Sequence, residues 1–172
     1  MEERDLKFVK IDKENIEDAY RIYLSNKEYF ELCGSENISL DMIYEDLNAF
    51  PEGVSDNQKI YRILYNKNEP LGILDLITSY PNSDTFYIGL FLIDKEKQGL
   101  TYGSWVYNTV EEKMESLGYK KGRLGVLDNN SKGLKFWEKM GYRTTKTVVS
   151  TIKPEKNWTV NVMEKHLRKK ME

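Results

Sequence analysis

The feature that most constrains this chain is an apolar run that leads through a glycine-containing turn directly into a helical pattern. The run "FYIGLFLI" (residues 86–93) is typical of a buried strand, and "QGLTYG" (residues 98–103) follows after four charged residues. A stripe at helical spacing comes next: Val106, Val110, Met114 and Leu117. Gly118 ends this helix, and "YKKGRLGVLD" (residues 119–128) returns to a strand pattern. A strand, a helix and a strand in this order predict a crossover connection within one sheet.

Three strand-like runs in a row form the middle of the chain. They are "KIYRILYN" (residues 59–66), "PLGILDLITSY" (residues 70–80) and "TFYIGLFLI" (residues 85–93). The joints between them, "NKNEP" and "PNSD", are rich in the residues that favour tight turns. Because the connections are this short, the three runs are expected to pair as antiparallel hairpins.

One strand and two helices are predicted ahead of these hairpins. "LKFVKI" (residues 6–11) alternates as a strand does, and Asp12 can cap the helix that follows. The apolar face of this helix contains Ile16, Ala19, Tyr20 and Tyr23. A second helix is expected to begin near Ser39 and end before Pro51. Its inward residues are Leu40, Ile43 and Leu47.

The end of the chain adds a short helix and two strands. "SKGLKFWEKMG" (residues 131–141) places Phe136, Trp137 and Met140 on one helical face. "YRTTKTVVSTIK" (residues 142–153) and "WTVNVMEKHL" (residues 158–167) flank the turn "PEKN". The whole order predicts an α+β fold with a mixed, largely antiparallel sheet and helices on both faces. No repeat or flexible linker interrupts residues 1–172, so a single domain is expected.

Composition excludes several classes of function. Lys and Arg number 26 against 28 for Asp and Glu, which argues against duplex nucleic acid as the main partner. One cysteine and one histidine leave no zinc-type cluster, so no metal is expected. No apolar stretch is long enough to span a membrane, and the charged start "MEERDLK" lacks the apolar core of a signal peptide. A cytoplasmic protein is therefore expected.

The turn "QGLTYG" has a chemical interpretation as well as a structural one. The start of a helix leaves backbone N–H groups without partners and carries the positive end of the helix dipole. Glycines in front of it allow a phosphate to approach the backbone. The spacing matches neither a Walker loop nor a dinucleotide fingerprint, because no Gly-Lys-Ser/Thr follows and the glycines are differently placed. A phosphate cradle and an ordinary tight turn both remain open from this segment alone.

Two segments in order resemble the GNAT acyltransferase superfamily. The first, "FLIDKEKQGLTYG" (residues 91–103), stands where that family has a pattern like "LxVDPxxQGxGxG". The second, "NSKGLKFWEKMGY" (residues 130–142), stands where the family has a pattern like "Nxx(A)xxFYEKxGF". The resemblance covers nearly the whole chain and implies that the fourth and fifth strands splay apart. It also implies an acetyltransferase that uses acetyl-coenzyme A.

The resemblance further implies which residues hold the cofactor. The backbone of residues 91–93 would pair with the pantetheine arm, and the N–H groups of residues 99–104 would hold the pyrophosphate. Asn130 would bond the arm at the splay. The full set implied is Phe91, Leu92, Ile93, Gln98, Gly99, Leu100, Thr101, Tyr102, Gly103, Ser104, Asn130 and Trp137.

Three positions depart from the family pattern. Thr101 replaces the central glycine of the loop and restricts its backbone. Trp137 replaces a tyrosine that often protonates the leaving thiolate, and an indole N–H cannot act as that acid at neutral pH. Gly125 stands where relatives that acetylate protein N-termini carry a glutamate base.

Candidates for the chemistry come from the strands. A backbone N–H near Leu92 is predicted to stabilise the developing oxyanion. Asp75 is alone in the apolar run "LGILDLIT", where burial would raise its pKa toward that of a base. The alternative for Asp75 is a carboxylate bonded to a backbone or tyrosine donor. Tyr87 is a second candidate base, and proton loss through water remains open.

The acceptor pocket is predicted between the first two helices. Its expected lining residues are Tyr29, Phe30, Tyr44 and Phe50, each of which can equally belong to the core. If Asp41, Glu45 and Asp46 face the pocket, they would favour a cationic amine, such as a polyamine or an aminoglycoside; otherwise they simply support the second helix.

Three functions stay open from the sequence. The first hypothesis is an N-acetyltransferase that acts on a small primary amine by direct attack. The second is a catalytically weak module that binds acetyl-coenzyme A in a regulatory role. The third is an acetyltransferase whose acceptor is a protein amine, and a homodimer is possible in each case.

Overall fold

The computed structural model describes residues 3–151 and 154–168, which form one seven-stranded sheet with five helices. The strands are β1 (Leu6–Lys10), β2 (Lys59–Asn66), β3 (Glu69–Ile77), β4 (Thr85–Ile93), β5 (Lys121–Leu127), β6 (Arg143–Val149) and β7 (Thr159–His166). The helices are α1 (Ile16–Ser25), α2 (Lys27–Leu32), α3 (Leu40–Leu47), α4 (Tyr102–Ser116) and α5 (Ser131–Lys139). Within this described part of the chain, no helix is long and apolar enough to cross a membrane.

The sheet has the order β1-β2-β3-β4-β5-β7-β6. Strands β1 to β4 pair as antiparallel neighbours, and β7 pairs antiparallel with both β5 and β6. Strands β4 and β5 are parallel, because α4 carries the chain back across the sheet between them. The predicted mixed, largely antiparallel sheet is confirmed. Two residues of the predicted sixth strand, Ile152 and Lys153, lie outside the described residues.

The parallel pair separates partway along its length. Pairing of β4 with β5 runs from Thr85 opposite Lys121 to Ile88 opposite Leu124. Beyond that point, residues 89–93 of β4 stay with β3, and residues 125–127 of β5 stay with β7. The predicted splay between the fourth and fifth strands is therefore confirmed, and we refer to it as the gap.

A β-bulge at Gly89 redirects the side chains of β4 at the mouth of the gap. Asp75 of β3 lies opposite Leu90 and Leu76 lies opposite Ile88, so Gly89 is the extra residue. One extra residue turns all later side chains to the other face of the sheet. Ile88 accordingly packs in the core under α4 and α5, whereas Leu90 packs in the core under α1, α2 and α3. One strand thus serves both cores, and the predicted helices on both faces are confirmed.

Some local predictions were wrong in detail. Helix α2 was not expected; Asn26 separates it from α1, and the Asn26 side chain is held by the carbonyls of Ile22 and Ile93. Leu117 was expected inward but is 56% exposed, because α4 ends one residue before it. Leu40 was also expected inward and is exposed at the first position of α3.

Candidate functional site

The gap opens onto the side of the sheet that carries α1, α2 and α3. Ile88 and Leu124 pack on the opposite side, so Tyr87 and Gly125 face this one. Gly125 is exposed, and a Cβ built on it would lie 3.5 Å from the Tyr87 hydroxyl and 3.0 Å from Val160. The absence of a side chain at residue 125 therefore keeps this end of the gap open.

Backbone groups of β4 alternate between β3 and the gap. The Asp94 N–H donates to the Leu71 carbonyl at 2.8 Å, and the Leu92 carbonyl lies against Gly72 of β3. Because alternate residues of a strand point their N–H and C=O groups at opposite neighbours, Phe91 and Ile93 turn toward the gap. The Ile93 carbonyl accepts hydrogen bonds from Asn26 and Gln98. Phe91 is thus the β4 residue whose backbone faces the middle of the gap.

Aromatic rings form the floor of the gap on the α5 side. The Phe91 ring lies 5.9 Å from Phe136 and 5.7 Å from Trp137, measured between centroids. Trp137 is 8% exposed and packs edge-on against Tyr107 and Tyr142. The structure places Trp137 in the core beneath the gap, where its contacts are apolar and aromatic.

The loop before α4 is shaped by two residues with positive φ. Gly99 has φ +77° with open space where a Cβ would be, and Thr101 has φ +69° immediately before α4 begins. The first intrahelical bond of α4 runs from the Trp105 N–H to the Thr101 carbonyl at 3.1 Å. The N–H groups of Gly103 and Ser104 belong to the first turn, which has no intrahelical acceptors for them. These groups and the helix dipole can hold an anion.

Other predicted residues of the loop have structural contacts. The Gln98 amide donates to Asn26 and to the Ile93 carbonyl, and accepts from Lys132 at 2.9 Å. It therefore fastens the loop to α1 and α5. Leu100 is exposed, whereas Tyr102 is buried. A Cβ on Gly103 would lie 3.2 Å from the Phe136 ring, so glycine allows α4 to approach α5 closely.

The conformation of Thr101 leads to a stability prediction. A β-branched residue in the left-handed region is strained by about 1–2 kcal/mol, which glycine does not incur. Glycine also gains unfolded-state entropy of about 0.5–1 kcal/mol. It loses the exposed hydrogen bond that the Thr101 hydroxyl accepts from Arg4, so Thr101→Gly is expected to raise the free energy of unfolding by at most about 1 kcal/mol. Thermal denaturation should show an increase of up to roughly 4 °C. The matched control is Thr109→Gly inside α4, which should lower the melting temperature, and a decrease for Thr101→Gly would contradict the prediction.

Asn130 caps α5. Its side-chain oxygen accepts from the Gly133 N–H at 2.9 Å, and a Cβ on Gly133 would lie 2.5 Å from the Asn130 amide nitrogen. Capping of the helix therefore explains why glycine follows three residues after Asn130. Asn130 lies three residues after the end of β5, at the start of α5.

A buried ion pair lies next to the bulge. Lys59 Nζ is 3.1 Å from Asp75 Oδ2, and the two side chains are 4% and 12% exposed. Lys59 Nζ also donates to the carbonyls of Asp46 at 2.6 Å and Ala49 at 2.7 Å. Three acceptors match the three protons of the ammonium group. Lys59 therefore ties the segment after α3 to the sheet.

The Asp75 carboxylate has one oxygen without a partner. Oδ2 is bonded to Lys59 and lies 3.2 Å from the place of a Cβ on Gly89, whereas Oδ1 is buried with no hydrogen-bond partner among the described residues. Burial raises the pKa of Asp75 above its usual range, and the nearby Lys59 ammonium partly offsets this rise. The alternative considered for Asp75 was a hydrogen bond from a backbone or tyrosine donor; the donor in the structure is Lys59.

A second polar group lies beside this pair. The Tyr23 hydroxyl donates to Asp46 Oδ2 at 2.6 Å and is hydrogen-bonded to the Tyr61 hydroxyl. Burial raises the pKa of Asp46, and the hydrogen bond from Tyr23 lowers it again in part. Of the three acidic residues considered for the pocket, Asp46 turns inward, while Asp41 and Glu45 are exposed.

The four aromatic residues predicted to line the pocket lie in different surroundings. Tyr29 is half-buried on α2 and meets Phe30 edge-on, with 5.1 Å between the ring centroids. Phe30 is a core residue stacked on Tyr23 at 5.0 Å. Tyr44 is 47% exposed on the outer side of α3. Tyr29 is therefore the member of this set that is neither fully in the core nor on the outer surface.

Phe50 lines a cavity at the ends of β1 and β2. Its ring lies 5.4 Å from Lys59 Nζ. The cavity has a volume of 290 Å³ and is lined by Lys10, Ile11, Leu47, Asn48, Phe50, Asp56, Lys59, Tyr61 and Arg62.

Two residues that contact the candidate site, Lys59 and Arg4, were not among those predicted. Lys59 begins a strand in which lysine is unremarkable, and Arg4 precedes the first predicted element, so neither pattern carried a signal. Arg4 Nη2 reaches Thr101 Oγ1 at 2.8 Å across 97 residues of chain. In residues 3–151 and 154–168, no three His, Cys, Asp or Glu side chains gather in a way that could hold a metal ion.

Three features together define an acyltransferase-type domain. They are the gap between β4 and β5, the first turn of α4 that can bind an anion, and the segment that begins at Asn130. A sequence model described as the acetyltransferase (GNAT) family matches residues 17–142, and the chain belongs to that family. None of the curated proteins matches the sequence.

Solved structures show the same fold. An acetyltransferase from Thermus thermophilus is similar with a TM-score of 0.75 and 22% identity, over 94% of this chain and 97% of that one. The ribosomal-protein-S18-alanine N-acetyltransferase from Escherichia coli has a TM-score of 0.68 and 11% identity, over 98% of this chain and 97% of that one. A chimeric spermidine N-acetyltransferase from Vibrio cholerae has a TM-score of 0.68 and 19% identity, over 94% of this chain and 95% of that one. At these identities the likeness concerns the fold alone.

Proposed function

We propose that this chain is an N-acetyltransferase that moves an acetyl group from acetyl-coenzyme A to a primary amine of a small molecule by direct attack. The observation that carries the proposal is the gap between β4 and β5, with the Phe91 backbone turned into it and the start of α4 at its end. Family membership supports the reaction class, and the geometry of the gap supports the place where the reaction occurs.

The residues of the gap fit acetyl-coenzyme A. An extended pantetheine arm can lie beside residues 89–93 of β4, which have no β5 partner. The exposed Gly89 and Gly125 leave room for it. The first turn of α4 and the open space at Gly99 suit the pyrophosphate. Asn130 and the ring of Phe91 would flank the arm.

The reaction needs one base and one oxyanion donor. The amine nitrogen attacks the thioester carbon, a C–N bond forms, and the C–S bond breaks so that the thiolate leaves with the electron pair. The nitrogen gives up a proton to a base, and the carbonyl oxygen carries negative charge while the bonds exchange. A backbone N–H aimed at that oxygen stabilises it.

We assign the base to Asp75 and the oxyanion donor to Phe91. The Asp75 carboxylate lies beside Gly89 at the mouth of the gap, and its raised pKa suits a proton acceptor. Leu92 was the predicted donor, but its backbone faces β3, so its neighbour Phe91 takes the role in this proposal. Trp137 has no acidic proton to give, and the thiolate would take its proton from another source.

Tyr87 fits a donor better than the predicted base. Burial raises the pKa of the Tyr87 hydroxyl, which keeps it protonated at neutral pH. The hydroxyl faces Gly125 across the gap. It can therefore donate a hydrogen bond or a proton to the leaving thiolate.

The surroundings of Asp75 favour a cationic acceptor. The Asp75 carboxylate, the Asp46 carboxylate and the Lys59 ammonium act on one another, so these three groups carry a net negative charge when both acids are ionised. Tyr29 adds an aromatic wall on the same side. A spermidine acetyltransferase is among the similar structures, and a polyamine-like amine has the matching charge. A protein amine and a non-catalytic regulatory role remain as outcomes of the test.

Acetyl-coenzyme A is expected to raise the melting temperature of the purified protein. A ligand that binds only the folded state stabilises it by about 2.7 kcal/mol at a hundredfold excess over its dissociation constant. Thiol release measured over a panel of polyamines, aminoglycosides and peptide N-termini then identifies the acceptor class. Stabilisation without thiol release would favour the regulatory module, release with peptides alone would favour a protein acceptor, and no stabilisation at millimolar cofactor would overturn the proposal.

A further inference from the structure

Arg4, ahead of the first strand, contacts the loop that precedes α4. Its guanidinium Nη2 donates to Thr101 Oγ1 at 2.8 Å and to the Leu100 carbonyl at 3.1 Å. The same group lies 4.5 Å from the centre of the Tyr102 ring and 5.1 Å from that of Trp105. Two hydrogen bonds and two ring faces thus converge on one arginine.

The contacts of Arg4 fall on the residue with the least favourable backbone in the loop. Thr101 has φ +69°, a conformation that β-branched residues rarely adopt, and its side chain makes no capping bond to α4. The hydroxyl is instead bonded to Arg4. An external partner that fixes both the hydroxyl and the preceding carbonyl opposes relaxation of this strained turn.

We propose that Arg4 is a positioning residue for coenzyme A binding, which holds Thr101 in the left-handed conformation and thereby aims the first-turn N–H groups of α4 at the pyrophosphate. Arg4 and Thr101 together replace the glycine that would adopt this backbone unaided. The inference rests on the proposed function, because it concerns the same cofactor site. It differs from a direct phosphate contact, since Arg4 acts through Thr101.

The proposal predicts which variants lose affinity and which regain it. Arg4→Ala is expected to weaken acetyl-coenzyme A binding by about five- to tenfold, which is within the range of one ordinary hydrogen bond, because Arg4 acts on the ligand only through Thr101. Arg4→Lys should lose nearly as much, because an ammonium group cannot reproduce the planar fork and the ring stacking. In the Arg4→Ala/Thr101→Gly double variant, binding should return to within about twofold of the wild type, since glycine adopts positive φ without help.

The experiment is calorimetric titration of each variant with acetyl-coenzyme A, which needs no acceptor. Arg21→Ala is the matched control, because Arg21 is an exposed arginine in a surface ion pair on α1. A second titration followed by NMR uses S-acetylpantetheine, which has no phosphates. Its affinity should be the same in the wild type and Arg4→Ala, because the proposed effect acts on the pyrophosphate, whereas a general loss of structure would weaken both ligands.

The outcomes separate this inference from the proposed function. If the wild type does not bind acetyl-coenzyme A, the proposed function fails. If the wild type binds and Arg4→Ala binds equally well, only the role of Arg4 fails. If Arg4→Ala loses affinity, Arg4→Lys retains it and glycine at residue 101 brings no rescue, then Arg4 contacts phosphate as a charge and the positioning role is overturned.

Discussion

Replacing Lys59 with methionine is expected to lower the free energy of unfolding by about 3–5 kcal/mol at neutral pH. The substitution leaves the Asp75 carboxylate buried without its counter-ion and removes the donor for the carbonyls of Asp46 and Ala49. A loss of this size is a large part of the stability of a typical domain. Urea denaturation followed by circular dichroism measures it.

Two companion variants show whether the ion pair is the cause. Lys7→Met removes an exposed ion pair with Asp5 and should cost no more than about 1 kcal/mol. Lys59→Met combined with Asp75→Leu removes both charges and should recover about 2 kcal/mol or more of the loss. If Lys59→Met costs no more than Lys7→Met, the pair is hydrated in solution and the buried arrangement is wrong.

The loss caused by Lys59→Met should shrink at low pH. Burial raises the pKa of Asp75 in the folded protein, and removal of Lys59 raises it further because the ammonium group opposed that rise. Above this raised pKa the folded state carries an uncompensated charge. As the pH falls from there toward about 3.9, the pKa of an unfolded aspartate, the folded state takes up the proton and the penalty diminishes.

Asp75→Asn is expected to lower kcat by about a hundredfold or more, while the KM for acetyl-coenzyme A stays within about twofold. A base acts on the acceptor amine and not on the acyl carrier, so the two constants should separate. In the wild type, kcat should rise with pH as Asp75 loses its proton, and this acidic limb should be absent in Asp75→Asn. Steady-state kinetics over a pH series from acidic to mildly alkaline test both points.

The matched control for this variant is Glu111→Gln. Glu111 is also a largely buried carboxylate bonded to a lysine, Lys165, but it lies on α4 away from the mouth of the gap. It should leave kcat within about twofold. A different result would contradict the prediction: equal losses of kcat and cofactor affinity in Asp75→Asn, together with a lower melting temperature. Asp75 would then have a structural role with Lys59, and proton loss through water would become the better hypothesis.

Much of the fold was predictable from local pattern. The hairpins from β2 to β4 follow from alternating apolar runs joined by tight turns, and the parallel β4–β5 pair follows from a helix placed between two strands. Helix α2 escaped prediction because six residues carry little periodicity and its start depends on the contact of Asn26 with Ile93. The family resemblance likewise rested on two segments of contiguous sequence.

The chemistry of the site depended on contacts that sequence cannot supply. Asp75 was identifiable as a lone carboxylate in an apolar strand, but its lysine partner lies 16 residues away and is selected by strand register. The bulge at Gly89 turns Phe91, instead of Leu92, toward the gap. Both results require knowledge of how neighbouring strands align.

The sequence by itself determined the order of the strands, the crossover and the glycine-containing helix start, because hydrophobic period and turn chemistry act over a few residues. Only the tertiary structure decided that Lys59 neutralises Asp75 and that Arg4 reaches Thr101 across 97 residues. Charges and hydrogen bonds act through space, so their partners are fixed by the packing of the sheet and its helices and leave no periodic mark along the chain.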